Sequence, residues 1–300
     1  MNAPPVGRPD RPARRSARRS EWLAAFCFLA PTMAAVVVLR LWPTLQALRD
    51  SLDVGQGRLP GIENFRFLFT DPQFLGSLGT TLLYSVLVNP IQIGLALALA
   101  VLMNETLPGV GLWRTLILLP VAVPQSVSAV IWGVALRPDG PLNALLGALG
   151  LHAQPFLTSS SQALWAIIVI CSWVGVGYWM TFLIAGLKDI PQSYYEAASI
   201  DGATAWQRFW YITLPQLRRP LTFVLVADTV ANFLIFAPVQ ILTKGGPQGS
   251  TDLIMNEIYS RAFVSGDTAG AAAATVVLVL VVIVVVSIQF RLMLGKDSAA

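Results

Sequence analysis

Asp228, Asn232, Phe236 and Gln240 stand four residues apart inside an otherwise apolar stretch, Leu221–Thr243. Steps of four keep side chains on one slowly drifting face of a helix. That face would carry a carboxylate, two amides and an aromatic ring. It could hydrogen-bond a passing polar solute, tie one helix to another, or relay a proton through Asp228. Asp228 would lie about 10 Å into the segment at 1.5 Å per residue. Carboxylates are expensive in such surroundings and usually face a cavity or a partner. A second polar group, Gln125 with Ser126 and Ser128, follows Pro120 and Pro124, and Trp132 falls on roughly the same helical face as Gln125. A third stretch sets Trp173, Tyr178 and Trp179 among Gly175 and Gly177. Its rings could stack on a sugar or hold a quaternary ammonium by cation–π attraction. They could equally serve as anchors near a membrane surface, and its glycines allow close helix packing.

Other chemistry is missing. The three lysines, Lys188, Lys244 and Lys296, follow no glycine-rich phosphate loop, so nucleotide binding of the P-loop kind is excluded. One histidine, His152, leaves no Ser-His-Asp arrangement to expect. Two cysteines, Cys27 and Cys171, both fall in apolar runs, which excludes an external disulfide framework and a zinc cluster. The chain reads as non-catalytic and without a cofactor.

The elements that hold these residues are set by composition. Of the 300 residues, 55% are hydrophobic and 12% charged, and mean hydropathy is +0.65. Six segments reach the roughly 20 apolar residues that a bilayer core requires: Trp22–Leu41, Leu78–Met103, Leu112–Leu136, Ala163–Leu187, Leu221–Thr243 and Ala271–Leu294. The expected fold is an all-α polytopic membrane protein of six transmembrane helices. A single transmembrane domain is expected over 21–300. Pro120 and Pro124 each remove a backbone donor and should kink or loosen the third helix.

Residues 1–20 hold Arg8, Arg11, Arg14, Arg15, Arg18 and Arg19 among prolines and read as a disordered tail. The following run is too long for a signal-peptide core and shows no convincing cleavage site. The arginines read as a topology signal in preference to a nucleic-acid-binding arm. With the N-terminus in the cytoplasm, that side also gains Arg114, Lys188, Arg208, Arg218, Arg219, Arg291 and Lys296. The opposite side is left with fewer basic residues on longer loops balanced by acids, as the positive-inside rule expects. Both termini and the polar loop 188–219 are then cytoplasmic.

That loop carries a specific pattern: Glu196-Ala197-Ala198, three residues, Gly202, nine residues, then Ile212-x-Leu214-Pro215. It resembles the Glu-Ala-Ala signature loop of ABC importer permeases. Gly61-Ile62-Glu63-Asn64-Phe65 with Asp71-Pro72-Gln73-Phe74, the Gly140–Asn143 turn and Gly245-Gly246-Pro247 are similar to patterns of carbohydrate-type permeases. The resemblance runs from about Glu21 to Lys296 and looks closest to the maltose and glycerol-3-phosphate branch. It implies a type I ABC importer transmembrane domain in a bacterial inner membrane. One permease subunit would pair with a second, dissimilar one above a cytoplasmic ATPase dimer. An extracytoplasmic solute-binding protein would deliver a sugar or a glycerol-phosphate-type solute. Substrate-path candidates are Asp228, Asn232, Phe236, Gln240, Gln125, Trp173 and Tyr178. The spans hold almost no arginine, which fits neutral or zwitterionic cargo such as a sugar or glycerophosphodiester better than a bare phosphate ester.

Two local expectations complete the reading. Ser193 should cap a helix with Glu196 in its first turn, Gly202 should turn the chain, and Leu214-Pro215 should end a second helix. Leu253, Ile254, Ile258, Ala262 and Phe263 form an apolar stripe opposite Asn256, Glu257, Ser260 and Arg261, the pattern of an amphipathic helix at the membrane interface. The rival to the whole reading is an ion-coupled secondary transporter with Asp228 as its coupling carboxylate. Against it stand six helices and no evident inverted repeat.

Overall fold

The computed structural model describes residues 26–53, 61–105 and 108–294. The tail at 1–20 and the start of the first apolar segment lie outside them. Among the described residues every regular element is helical. Four unbent long helices frame the molecule: α1 (Phe26–Ser51), α3 (Pro72–Asn104), α7 (Ala163–Lys188) and α13 (Thr268–Leu294). Shorter helices complete it: α2 (Glu63–Leu68), α4 (Val110–Leu118), α5 (Gln125–Ala135), α6 (Pro141–Ala148), α8 (Gln192–Ile200), α9 (Ala205–Arg208), α10 (Arg218–Phe233), α11 (Ala237–Leu242) and α12 (Ile254–Tyr259).

Five spans are long and apolar enough to cross a membrane, and a sixth exists if a bent pair counts as one crossing. The bent pair is the predicted third span. Val110–Ala122 and Gln125–Ala135 meet at 97°, far more than a kink. Pro120 and Pro124 sit at the corner, where a short 3-10 turn, Leu119–Ala122, replaces the α-helix. The first helix also runs on past Leu41 to Ser51, because Pro43 occupies its N-terminal-like position after a π turn, Val37–Leu41, without breaking it.

The interior is built on α3, α7 and α10. One cluster joins Ala96, Ala100 and Met103 of α3 to Val176, Met180, Leu183 and Leu187 of α7 and to Leu217, Leu221 and Val224. A second joins Tyr84 and Val88 to Ile167, Ile168 and Cys171. Both clusters pair early α3 with early α7 and late with late, so these two helices run in parallel. Close approach depends on Gly177: a Cβ there would lie 2.3 Å from the Ile117 carbonyl oxygen of α4. Arg114 donates to the Met103 carbonyl at the end of α3, a carbonyl that no helical N–H can reach.

At the start of α3, Asp71 caps the helix by accepting from the Gln73 N–H at 3.0 Å, with Pro72 in the first turn, as the sequence suggests. The expected interfacial helix needs correction. α12 and the turn after it are buried on both sides: Leu253 and Ile254 of the apolar stripe are enclosed, and so are Glu257 and Arg261, while Phe263 is exposed. The reason is an ion-pair cluster. Arg261 bonds Asp71, reaches Glu257 at 2.6 Å and Asp267 at 3.4 Å, and stands over the Phe67 ring. Gln73 donates to the other Glu257 oxygen at 2.7 Å, and the Ile254 N–H donates to Thr81. Burial alone would lower the Arg261 pKa, but the carboxylates of Asp71 and Glu257 raise it above its ordinary value. A raised cation pKa means that its stabilisation is complete across neutral pH and is lost only as pH climbs through that raised value.

One arginine thus ties the first turns of α3 and α13 to α2 and α12. Arg261→Leu would leave Glu257 buried, and Asp71 largely so, without a cation and should destabilise the protein by about 3–5 kcal/mol. Arg261→Lys, a single point charge without the planar fork, should fall between the two. Thermal unfolding of the detergent-purified proteins measures the order wild type, Lys, Leu.

Candidate functional site

Asp228 is 1% exposed on α10, in the middle of the bundle. Its Oδ1 accepts from the indole Nε1 of Trp179 at 2.6 Å and from Asn232 Nδ2 at 3.1 Å. Its Oδ2 is buried with no hydrogen-bond partner. Asn232 also donates to Asn89 Oδ1 at 2.8 Å and lies 3.4 Å from Gln92 Oε1, and Tyr84 donates to its carbonyl oxygen. Asn89 in turn donates to Thr229 at 2.8 Å and Ser85 at 3.0 Å, and Gln289 of α13 donates to the same Thr229 hydroxyl. The network therefore crosses α3, α7, α10 and α13. Spacing explains it: Ser85, Asn89 and Gln92 recur at steps of three to four on α3, as Asp228 and Asn232 do on α10.

A cavity of about 360 Å³ opens beside this network. Gln92, Gln125, Tyr178, Trp179, Asp228 and Asn232 supply its polar and aromatic lining, and Val121, Cys171 and Ile235 its apolar wall. Four of the sequence-derived candidates, Asp228, Asn232, Gln125 and Tyr178, are thus brought together. Asp228 and Asn232 serve both readings at once, since they bond neighbouring helices and also border a cavity.

The other three candidates lie elsewhere. The four-residue stripe ends at Phe233, because α10 stops there and α11 begins at Ala237. Pro238 is the cause: continued helix would set its ring against the Leu234 carbonyl and lack a donor for it. Phe236 swings onto Tyr259, ring centroids 4.9 Å apart, and Gln240 sits on α11, clear of the cavity. Trp173 packs edge-on to Trp132 at 5.6 Å and lines a separate, apolar cavity with Leu95, Ile117 and Val169. Gln125 and Trp132, predicted to share a face, consequently border different cavities. Sequence reasoning missed Asn89, Gln92 and Tyr84 and left Trp179 out of the candidates. The signal was present: three amide or hydroxyl residues at helical spacing within a span that is otherwise apolar.

The second candidate region is the hairpin of α8 and α9. Pro191 precedes α8, and no side chain caps it. The expected Ser193 cap is therefore wrong, and Glu196 lies beyond the first turn, because the helix starts two residues earlier, with Pro191 in the cap position. The turn itself is as expected. Gly202 has φ +75°, Ala203 N–H bonds the Ala198 carbonyl, and Gly202 N–H bonds that of Ser199, which is the Schellman pattern. Thr204 and Gln207 then form a reciprocal capping box at α9. Leu214-Pro215 does not end the second helix. A π turn, Phe209–Thr213, widens the backbone ahead of Pro215, and a further helical turn, Leu214–Gln216, follows. The inner face is fixed: Tyr195 and Thr213 hydroxyls lie 3.0 Å apart, and Ile212 and Leu214 pack on the main core, while at the surface Arg208 donates to the exposed Ser199. On the outer face Glu196 and Ala197 are exposed, together with Ile200, Trp206, Trp210 and Tyr211.

Residues 91–294 match the family model described as the binding-protein-dependent transport system inner membrane component. The sn-glycerol-3-phosphate transport system permease protein of Agrobacterium fabrum is 34% identical over 275 residues, 89% of this chain and 94% of that protein. The lactose transport system permease protein of Rhizobium radiobacter is 34% identical over 259 residues, 84% of this chain and 87% of that one. The crystal structure of a bacterial alginate ABC transporter, in complex with its alginate pentasaccharide-bound periplasmic protein, shares the fold. Its chain aligns with a TM-score of 0.84 at 23% identity, covering 95% of this chain and 98% of that chain.

The Trp179–Asp228 bond gives a direct test of the network. Trp179→Phe keeps an aromatic ring but removes the donor to a buried carboxylate. It should lower stability by about 1–3 kcal/mol, read as a reduced melting temperature in detergent. Tyr178→Phe, at a half-exposed ring, should change it much less.

Proposed function

The chain belongs to the family of inner-membrane components of binding-protein-dependent transport systems, a multi-pass permease of an ABC importer, and from that premise we propose how it works. It forms one half of a translocation path, and a second, dissimilar permease subunit forms the other half. Solute is handed over by an extracytoplasmic binding protein. A cytoplasmic ATPase dimer hydrolyses ATP, and this chain contributes no catalysis. Both termini and the hairpin face the cytoplasm. The solute is a sugar or a glycerol-phosphate-type compound, as the names of the relatives suggest.

The observation that carries this reading is the division of the hairpin into a fixed inner face and an exposed outer one. Exposed apolar and aromatic side chains grouped on one surface mark an interaction site. Glu196, Ala197 and Ala198 stand on the first helix of the hairpin, Gly202 at its tip, and Ile212, Leu214 and Pro215 where its base meets the core. Force applied at the outer face reaches α7 and α10 through Ile212, Leu214 and Tyr195, which pack among their residues. Asp228, Asn232, Gln125 and Tyr178 then line the path. Phe236, Gln240 and Trp173 support it from outside.

Gly202→Val should force a β-branched residue into left-handed backbone, at roughly 1–2 kcal/mol of local strain. Glu196→Lys reverses the charge presented to the ATPase. Each variant should co-purify less ATPase and show weaker substrate-stimulated ATP hydrolysis; intact coupling in both would refute the hairpin's role. Reconstituted without partners, the chain should neither hydrolyse ATP nor accumulate solute. Robust proton-driven uptake by the lone chain would instead establish a secondary transporter using Asp228.

A further inference from the structure

Resting on the importer reading, we propose that the cavity at Asp228 admits an uncharged, hydroxyl-rich solute and selects against one carrying a free phosphate. The family relationship leaves this open, because relatives of equal identity are named for sn-glycerol-3-phosphate and for lactose. The cavity's own chemistry decides between them.

Among the described residues, no lysine, arginine or histidine lines it. A phosphate ester entering there would exchange water for surroundings that offer no cation and one carboxyl group. Charged oxygens removed from water need charge-assisted donors, most often arginine forks or lysine, and without them the desolvation penalty stands uncompensated. Asp228 adds to the mismatch. Oδ1 is already occupied by Trp179 and Asn232, and Oδ2 is an orphaned acceptor in a residue that is 1% exposed. An unsatisfied buried acceptor costs about 1–3 kcal/mol, which a ligand can recover by bringing a donor. A hydroxyl does so and phosphate oxygens do not.

The remaining lining narrows the choice further. Gln92 and Gln125 are amides, able to donate and accept at once, whereas the Asn232 amide is already committed to Asn89, Asp228 and Tyr84. A hydroxyl has the glutamines' dual character, so vicinal hydroxyls can satisfy both of them and the carboxylate together. An ammonium, which only donates, would use the carboxylate but leave the amide N–H groups without acceptors. Tyr178, 44% exposed on the cavity wall and edge-on to Trp179 at 4.8 Å, offers a ring face to the apolar side of a sugar ring.

The test uses the complete importer in cells, set against cells lacking only this chain. Uptake is measured for a panel of neutral mono- and disaccharides and polyols, and for sn-glycerol-3-phosphate and sugar monophosphates. Chain-dependent uptake should be confined to neutral hydroxylated compounds. For whichever of these is transported, Asp228→Asn should lower uptake about tenfold or more, as expected for one hydrogen bond to a charged group. Asp228→Lys should abolish it. Each variant is first shown to co-purify with its partner subunits. Chain-dependent uptake of the phosphorylated compounds, or wild-type uptake of a neutral one by Asp228→Asn, overturns the selectivity and leaves the importer reading standing. No chain-dependent uptake of any compound overturns both.

Discussion

Inside a bundle wrapped in hydrocarbon, a polar side chain has no water to fall back on, and its partners must come from neighbouring helices. Asn232 shows how far that requirement organises this protein. Its amide nitrogen reaches Asn89 on α3 and Asp228 on its own helix, and its carbonyl receives Tyr84. Through Thr229 the same network extends to Gln289 on α13. Apolar packing could be satisfied by several rotations of α10 against α3, since Leu, Val and Ala fill space in many registers. The amides cannot, because each bond must lie within a few tenths of an ångström of its ideal length. Packing supplies contact and the polar ladder fixes register.

At one end of the bundle the same principle appears with full charges. Arg261 draws Asp71, from the start of α3, onto a segment where Glu257 stands one turn before it and Asp267 six residues after it. A buried ion pair is a weak source of net stability but a strong specifier of geometry when its partners come from distant parts of the chain. At the other end the hairpin is fixed by ordinary hydroxyl pairs and apolar contacts on its inner face only. The bundle is thus tightly specified in its middle and at the Arg261 end, while the hairpin keeps one face free.

Much of this was readable from sequence, and the failures have physical causes. Span positions follow from apolar length, the Asp71-Pro72 helix start from capping, and the turn at Gly202 from its missing side chain. The stripe from Asp228 to Gln240 failed because helical periodicity was extended across Pro238, where the ladder could not continue. The surface helix at Ile254–Tyr259 failed because amphipathic spacing reports two faces without saying whether either is wet, and Leu253 and Ile254 are as buried as Glu257. Here the polar face found ion-pair partners nearly 200 residues away in sequence, at Asp71, which no local window contains. Leu214-Pro215 was expected to end a helix, but a π turn accommodated the proline instead. Family relationship and fold agree with the resemblance carried by Glu196–Pro215, whereas the roles of individual residues rest on the chemistry of their surroundings.

The corner between α4 and α5 and the gap between α10 and α11 both border the Asp228 cavity, through Val121 and Gln125 at one and Ile235 at the other. Beyond those interruptions α5 and α11 pack on each other, forming a cap joined to the long helices by segments that are already outside the helical ladder. Tilting such a cap would cost side-chain packing, including that of Val239 in the core, and no helical backbone bond, because none spans either seam in full. A continuous helix would have to break backbone bonds in hydrocarbon, at several kcal/mol each. At both seams the prolines have already removed those backbone bonds, so a change in the angle of α5 and α11 to the long helices would be resisted by side-chain packing such as that of Val239 and not by the helical ladder.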